Sequence, residues 1–256
     1  MNGFASRLGE FYADNLRGFA AELFATFTFV FIGVAVTGAA LNAPPGYIIS
    51  GASMPDGAGY LIIALGHGIG IAAGYIVIGR ISGGHMNPAV TIATILSGHT
   101  GLIRGISYIL GQLAGSALAV LVVDQYVWSL SDLGVQSIEM SGGAAHGLVL
   151  QVILVFFLVF VIFATTIDKR GNPVIAPLAI GMVIFVAHVI GYTLTGGSVN
   201  PARTFGPALI HGFWEDHWVY WVGPILGGVA GAVFYVILFG TKQDRDRFGT
   251  ISFKTN

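Results

Sequence analysis

Two neutral amides, one arginine and a pair of histidines carry the chemistry that the sequence offers. Asn87 and Asn200 each open an Asn-Pro-Ala triplet inside a longer repeat, Ser82-Gly83-Gly84-His85-Met86-Asn87-Pro88-Ala89-Val90 and Thr195-Gly196-Gly197-Ser198-Val199-Asn200-Pro201-Ala202-Arg203. A carboxamide donates and accepts hydrogen bonds without bearing charge, so a matched pair suits the orientation of a passing neutral molecule rather than bond making. No nucleophile-and-base arrangement, phosphate loop or nucleotide fingerprint accompanies them, and the histidines make no metal-ligand pattern. The absence of cysteine excludes a disulfide, a thiolate metal site and a catalytic thiol. A net charge of −1 offers no general attraction for nucleic acid.

The elements that hold these residues follow from the repeat. Each copy reads as a loop turning into a helix, because Asn is a preferred N-cap, Pro is tolerated at the first helical position and the glycines allow close backbone packing. The helices, from Asn87 to about Leu96 and from Asn200 to about Ile210, are short. Roughly ten residues span about 15 Å, half of a hydrocarbon core about 30 Å thick. An isolated copy would mean no more than a capped loop. Two copies with shared flanks, separated by three hydrophobic segments, point to half-helices meeting end to end at the midplane, and capping by both Asn is compatible with that role.

Composition supports the membrane setting: 55% of the 256 residues are hydrophobic, only 9% are charged, and there are 38 glycines. Small residues let helices approach closely in lipid. Six stretches are long enough to span, about 18–41, 60–79, 102–123, 147–167, 174–194 and 217–239. Breakers separate them, including Asn42-Ala43-Pro44-Pro45-Gly46, the polar stretch from Asp124 to Ser141 and Asp168-Lys169-Arg170-Gly171-Asn172-Pro173. Residues 1–16 show no cleavable signal peptide and read as a short interfacial or frayed lead-in; with 241–256 they form the tails.

Six spans place both termini on one side, and ten of the eleven basic residues fall there, which predicts cytoplasmic termini. Arg203 is the exception. The two Asn-Pro-Ala copies follow spans two and five and so lie on opposite faces. A unit of three spans plus one re-entrant half-helix, used at 18–123 and again at 147–239, must then be inverted. Gly111-Gln112-Leu113-Ala114-Gly115 answers Gly223-Pro224-Ile225-Leu226-Gly227, and Glu22 sits where Gln151 sits. The whole chain, 1–256, reads as one domain, since neither half alone shields its non-helical loop from lipid.

Arg203 follows the second motif by one turn, and burial in lipid is costly enough that it should face a wet cavity or backbone carbonyls; a surface-snorkelling Arg is the competing reading. His67 and His188 lie well inside spans two and five, either lining a pore or bonded to a neighbouring carbonyl. Glu22 and Gln151 are expected to accept hydrogen bonds from backbone N–H groups of the re-entrant loops. His85 reads as a loop-packing residue, and His99, His146, His211 and His217 as solvated or interfacial.

These residues resemble the aquaporin, or major intrinsic protein, family over nearly the entire chain, from Glu22 to the run His217-Trp218-Val219-Tyr220-Trp221-Val222-Gly223-Pro224. The matches Ile81 to Thr91 and Asn200-Pro201-Ala202-Arg203-Thr204-Phe205-Gly206-Pro207-Ala208 are the most specific, and some phrasing is similar to plant tonoplast intrinsic proteins. The resemblance implies an all-α membrane protein of the aquaporin fold, with six transmembrane helices and two re-entrant half-helices in an inverted repeat. It implies paired pore motifs at Asn87, Pro88, Ala89 and Asn200, Pro201, Ala202, and a selectivity filter of His67, His188, Gly197 and Arg203. Two departures stand out: tonoplast-type members usually carry an aliphatic residue where His188 stands, and Gln151 replaces the family's usual Glu. Glycerol facilitators typically place Asp and a basic residue where this chain has Thr204 and Ala208, and Tyr220 and Trp221 resemble water channels.

The implied activity is passive conduction of water, with ammonia, urea and hydrogen peroxide as secondary solutes and with ions and protons excluded. An ammonia-preferring or multifunctional pore is one alternative; a poorly conducting adhesion or scaffold protein is another. The partners implied are the solutes, the bilayer and three further copies in a homotetramer, with no cofactor and no metal, in a plasma, vacuolar or other organellar membrane.

Overall fold

The computed structural model describes residues 2–42, 57–128 and 133–250, with side chains for all but 2–9 and 42. The described chain is helical: α1 (Asn2–Asn42), α2 (Gly57–Ile78), α3 (Pro88–Leu96), α4 (Leu102–Tyr126), α5 (Gly143–Ile162), α6 (Ala176–Thr195), α7 (Pro201–His211), α8 (Val219–Leu238) and α9 (Lys242–Arg247). A single π-helical turn, Phe163–Ile167, continues α5. Six helices are long and apolar enough to cross a membrane, and α3 and α7, with nine and eleven residues, are not. The breaker at Ala43 to Gly46 lies outside the described residues.

Five of the six expected span starts move, most by two to four residues and the first by far more. α1 does not begin near residue 18 but runs back to Asn2, so the residues read as a frayed lead-in are helical. Nothing in Arg7, Glu10 or Asp14 breaks a helix; their charges only take that stretch out of the apolar run. The last span, α8, starts at Val219, because Asp216 adopts a left-handed φ of 48° just before it.

The packing of the two halves is the same. α1 packs on α4 and on α2, as α5 packs on α8 and on α6; α3 packs on α8, as α7 packs on α4. α2 meets α6, and α3 meets α7, across the join. Glycines permit the closest approaches, at corresponding places. A Cβ on Gly111 would stand 2.5 Å from the Phe19 carbonyl oxygen, and one on Gly115 would run into that of Leu23. In the other half a Cβ on Gly223 would come within 3.2 Å of the Leu148 oxygen, and one on Gly227 would run into that of Val152. Glu22 and Gln151 each directly precede one of these contact residues, which fixes their height in the bundle.

Candidate functional site: the meeting of the two half-helices

Both half-helices begin as the Asn-Pro pair dictates. Asn87 is extended (φ −153°, ψ 119°) and its Oδ1 accepts from the Ala89 N–H at 2.9 Å. Asn200 does the same (φ −156°, ψ 112°), accepting from Ala202 at 2.9 Å and Arg203 at 3.4 Å. Pro88 and Pro201, with no N–H to satisfy, take the first helical position.

The other end of each amide reaches across to the opposite loop. Asn87 Nδ2 donates to the Val199 carbonyl at 2.9 Å, and Asn200 Nδ2 donates to the Met86 carbonyl at 2.7 Å. The residues that accept these bonds are unusual. Met86 and Val199 both have φ of 48°, a left-handed conformation that is rare away from glycine and rarer for a β-branched side chain. Their N–H groups are held too: Met86 donates to Glu22 Oε2 at 2.6 Å, and Val199 donates to Gln151 Oε1 at 3.0 Å. A strained backbone persists when its surroundings over-determine it, and here a bond at each end does so.

Glu22, fully buried in α1, accepts from four groups: Ser82 Oγ (2.6 Å) and the His85 N–H (2.9 Å) on Oε1, and the Met86 N–H and Gln112 Nε2 (2.8 Å) on Oε2. Gln151 makes two bonds. Its Oε1 accepts from Val199, and its Nε2 donates to Thr195 Oγ1 at 3.0 Å. Two contacts with one acceptor and one donor suit an amide, whereas four donors suit a group that only accepts, which gives a physical reason for the difference between the halves.

His67 on α2 and His188 on α6 are fully buried and stacked face to face, with ring centroids 4.1 Å apart and planes 24° apart. In each ring Nδ1 lies 2.9 Å from the carbonyl one turn back, that of Ile63 or Ile184. A carbonyl only accepts, so Nδ1 carries the proton and Nε2 of the neutral ring presents a lone pair. Both Nε2 atoms are buried without a protein partner, and that of His67 is turned toward Gly33 of α1. Gly197 adjoins the stack, since a Cβ there would stand 3.1 Å from His188 Cδ2. Arg203, 1% exposed, does not snorkel; its Nη1 donates to the Gly134 carbonyl, and both imidazoles lie within its electrostatic reach.

The structure thus brings His67, His188, Gly197 and Arg203 together, and Asn87 and Asn200 together. It adds residues that sequence reading passed over. Gly134 and Gln136 lie in the polar stretch taken only as a breaker; Gly134 takes a left-handed φ of 78°, and Gln136 Nε2 donates to the same carbonyl as Arg203. Gln112, noted only as part of the glycine echo, ties Glu22 to Thr91. No sequence signal marks Gly134, because its contribution is a backbone oxygen. His85 packs edge-on to Tyr108 and bonds Thr91 Oγ1 at 3.1 Å. Among the described residues no cluster of His, Cys, Asp or Glu could hold a metal ion.

Comparison with known proteins decides the family. Residues 11–235 match the family model of the major intrinsic proteins. The chain belongs to the major intrinsic protein family. It is 40% identical over 238 residues to a protein described as probable aquaporin TIP4-1 of Oryza sativa subsp. japonica, covering 91% of each chain. It is 39% identical over 232 residues to probable aquaporin TIP3-2 of Arabidopsis thaliana, covering 88% of this chain and 84% of that one. Its fold matches the X-ray structure of the aquaglyceroporin from Plasmodium falciparum with a TM-score of 0.73, at 20% identity, covering 90% of this chain and 99% of the other. This major intrinsic protein is an integral membrane protein of the aquaporin fold, and it belongs among channels rather than enzymes.

Proposed function

We propose that the chain is a passive channel for water, and that its path runs past the stacked imidazoles and Arg203, between the two Asn side chains and out beside the loop that precedes α3. The observation that carries this reading is the reciprocal pairing of Asn87 with Val199 and Asn200 with Met86. It sets two helix N-termini face to face at the join of the halves. Each amide nitrogen has two protons and commits one across the join, which leaves the second to donate to a water oxygen. A cation reaching that point meets two positive helix ends and no carboxylate among the path residues, so ions and protons are excluded while neutral water is held and passed on.

Residues 18–123 and 147–239 form the two arms of an inverted repeat, with the pseudo-two-fold axis in the membrane plane. Their matching packing supports this. The basic residues place both termini in the cytoplasm, so the ring of His67, His188, Gly197 and Arg203 faces the other side. Two acceptor nitrogens, a guanidinium and a glycine make this ring polar and leave room at position 197, which suits ammonia, urea and hydrogen peroxide as secondary solutes. The likeness to relatives described as aquaporins favours a homotetramer with one path per subunit.

One observation favours a second reading, that of a poorly conducting scaffold protein: two rings 4.1 Å apart leave no room for water between them, so water must pass beside the stack. Stopped-flow light scattering of proteoliposomes separates the readings. Osmotic shrinkage and alkalinisation after an ammonium pulse are compared for wild type and His67→Phe. Fast water flow in both, with ammonia flux lost in the variant, supports the channel and its polar ring; no flux of either solute above protein-free liposomes supports the scaffold.

A further inference from the structure

Beyond the Asn pair lies a cavity of about 130 Å³, walled by Gly84, Val90, Thr94, Thr166 and Ile180 and by two bulky polar side chains, Tyr75 and His85. Tyr75 follows His67 on α2 by eight residues, about 12 Å along the axis. Its neighbour Gly74 abuts Met86, whose Sδ would stand 2.6 Å from an added Cβ, so Tyr75 sits level with the loop before Asn87 and on the opposite side of the Asn pair from the imidazole stack. His85 is packed edge-on to Tyr108 and bonded to Thr91 Oγ1, and the remaining walls are glycine, threonine and aliphatic groups. The phenol of Tyr75 is the largest group there, large enough to fill a single-file path.

The ring is also held. Gly79 and Gly84 flank it, and a Cβ on either would stand 2.7 Å from Cε1 or 2.5 Å from Cδ2, so the absence of side chains at both makes the slot in which it lies. Thr166 lines the same cavity. Its Oγ1 donates to the Ile162 carbonyl at 2.7 Å, so its proton is committed within its own helix. Thr166 belongs to the π turn that ends α5. An extra residue in a turn re-aims the side chains that follow it, and such turns recur at functional sites. Here the turn brings Thr166 to the wall of the cavity.

We propose that Tyr75, seated between Gly79 and Gly84, forms a second constriction of the path, at its cytoplasmic half, which limits the rate of water flow without choosing the solute. The inference rests on the channel reading above. Solute choice stays with the His67 ring, because Tyr75 offers a passing molecule one oxygen and no charge.

The test measures water permeability per channel in proteoliposomes for wild type, Tyr75→Ala, Tyr75→Val and Tyr75→Phe, with the ratio of urea to water flux as second readout. Tyr75→Ala is expected to raise water permeability several-fold with the ratio unchanged. Tyr75→Val, a smaller truncation, is expected to give a smaller increase, and Tyr75→Phe, which keeps the ring, a flow close to wild type. Wild-type flow in correctly folded Tyr75→Ala and Tyr75→Val would overturn the constriction and leave the channel standing. A Tyr75→Ala protein that does not fold leaves the decision with Tyr75→Val. Protein-free rates for wild type and every folded variant would overturn the channel reading and the constriction with it, whereas a slow wild type and a fast Tyr75→Ala would support both.

Discussion

Replacing Glu22 by alanine removes the acceptor of four hydrogen bonds, and the structure says which losses can be repaired. Ser82 Oγ can rotate, and Gln112 Nε2 keeps a bond of 3.0 Å to Thr91 Oγ1. The His85 and Met86 N–H groups lose the acceptor that ties their loop to α1. Each orphaned buried donor costs about 1–3 kcal/mol, and the lost side-chain volume adds to that, so Glu22→Ala should cost about 3–6 kcal/mol. Glu22→Gln should cost less, about 2–5 kcal/mol, because it opens no cavity. It keeps Oε1 for Ser82 and His85 and nearly all the side-chain volume, but its new amide faces the Met86 N–H and Gln112 Nε2, and a flip of Gln112 to meet it would move the Gln112 NH2 to the place where its Oε1 has no partner. Gln151→Glu should destabilise as well, because a carboxylate there would meet one donor, the Val199 N–H, and an oxygen, Thr195 Oγ1, whose proton goes to the Gly191 carbonyl. The assay is equilibrium unfolding in mixed detergent micelles, followed by circular dichroism, with water permeability of the same preparations. Glu22→Ala within 1 kcal/mol of wild type, about the worth of one ordinary hydrogen bond, or Glu22→Gln worse than Glu22→Ala, would refute the reasoning.

Gly115→Ala and Gly227→Ala should each cost about 1–3 kcal/mol, the usual range for overpacking, because the added methyl meets a backbone oxygen that cannot move aside; equal losses in the two would fit the matched packing, and a neutral result in either would contradict it. Gly33→Ala puts a Cβ 2.5 Å from His67 Nε2 and presses the ring onto His188, so water permeability should fall in a protein that still folds. His99, between α3 and α4, contacts α9 through Asp244 at 3.9 Å. Burial lowers its pKa below 6.5, partly offset by Asp244 and reinforced by Arg247. The undocked state therefore binds more protons below that value, and docking of α9 should weaken as pH falls through it. Proteolysis of the C-terminal segment should run faster at about pH 5.5 than at about pH 8, on either side of the free imidazole value. His99→Gln should flatten that difference, and an unchanged difference would sink the assignment.

The spans and both half-helices were legible because lipid imposes length and apolarity on one, and the Asn-Pro pair imposes a start on the other. Glu22 and Gln151 were legible as buried polar residues at matched places. What escaped was backbone chemistry. The left-handed Met86 and Val199 have side chains that signal nothing of the kind, since bonds made by Glu22, Gln151 and the opposite Asn set their conformation. The carbonyl of Gly134 that receives Arg203 likewise leaves no trace in residue type. The π turn that aims Thr166 arises within an unbroken apolar run, where periodicity gives no warning.

The central claim is that water crosses this protein while charge does not. Stopped-flow osmotic shrinkage of proteoliposomes carrying a pH gradient reads both at once. The account predicts shrinkage well above the protein-free rate with a gradient that decays no faster than in empty liposomes. Shrinkage at the protein-free rate, or a gradient that collapses as water flows, would contradict it.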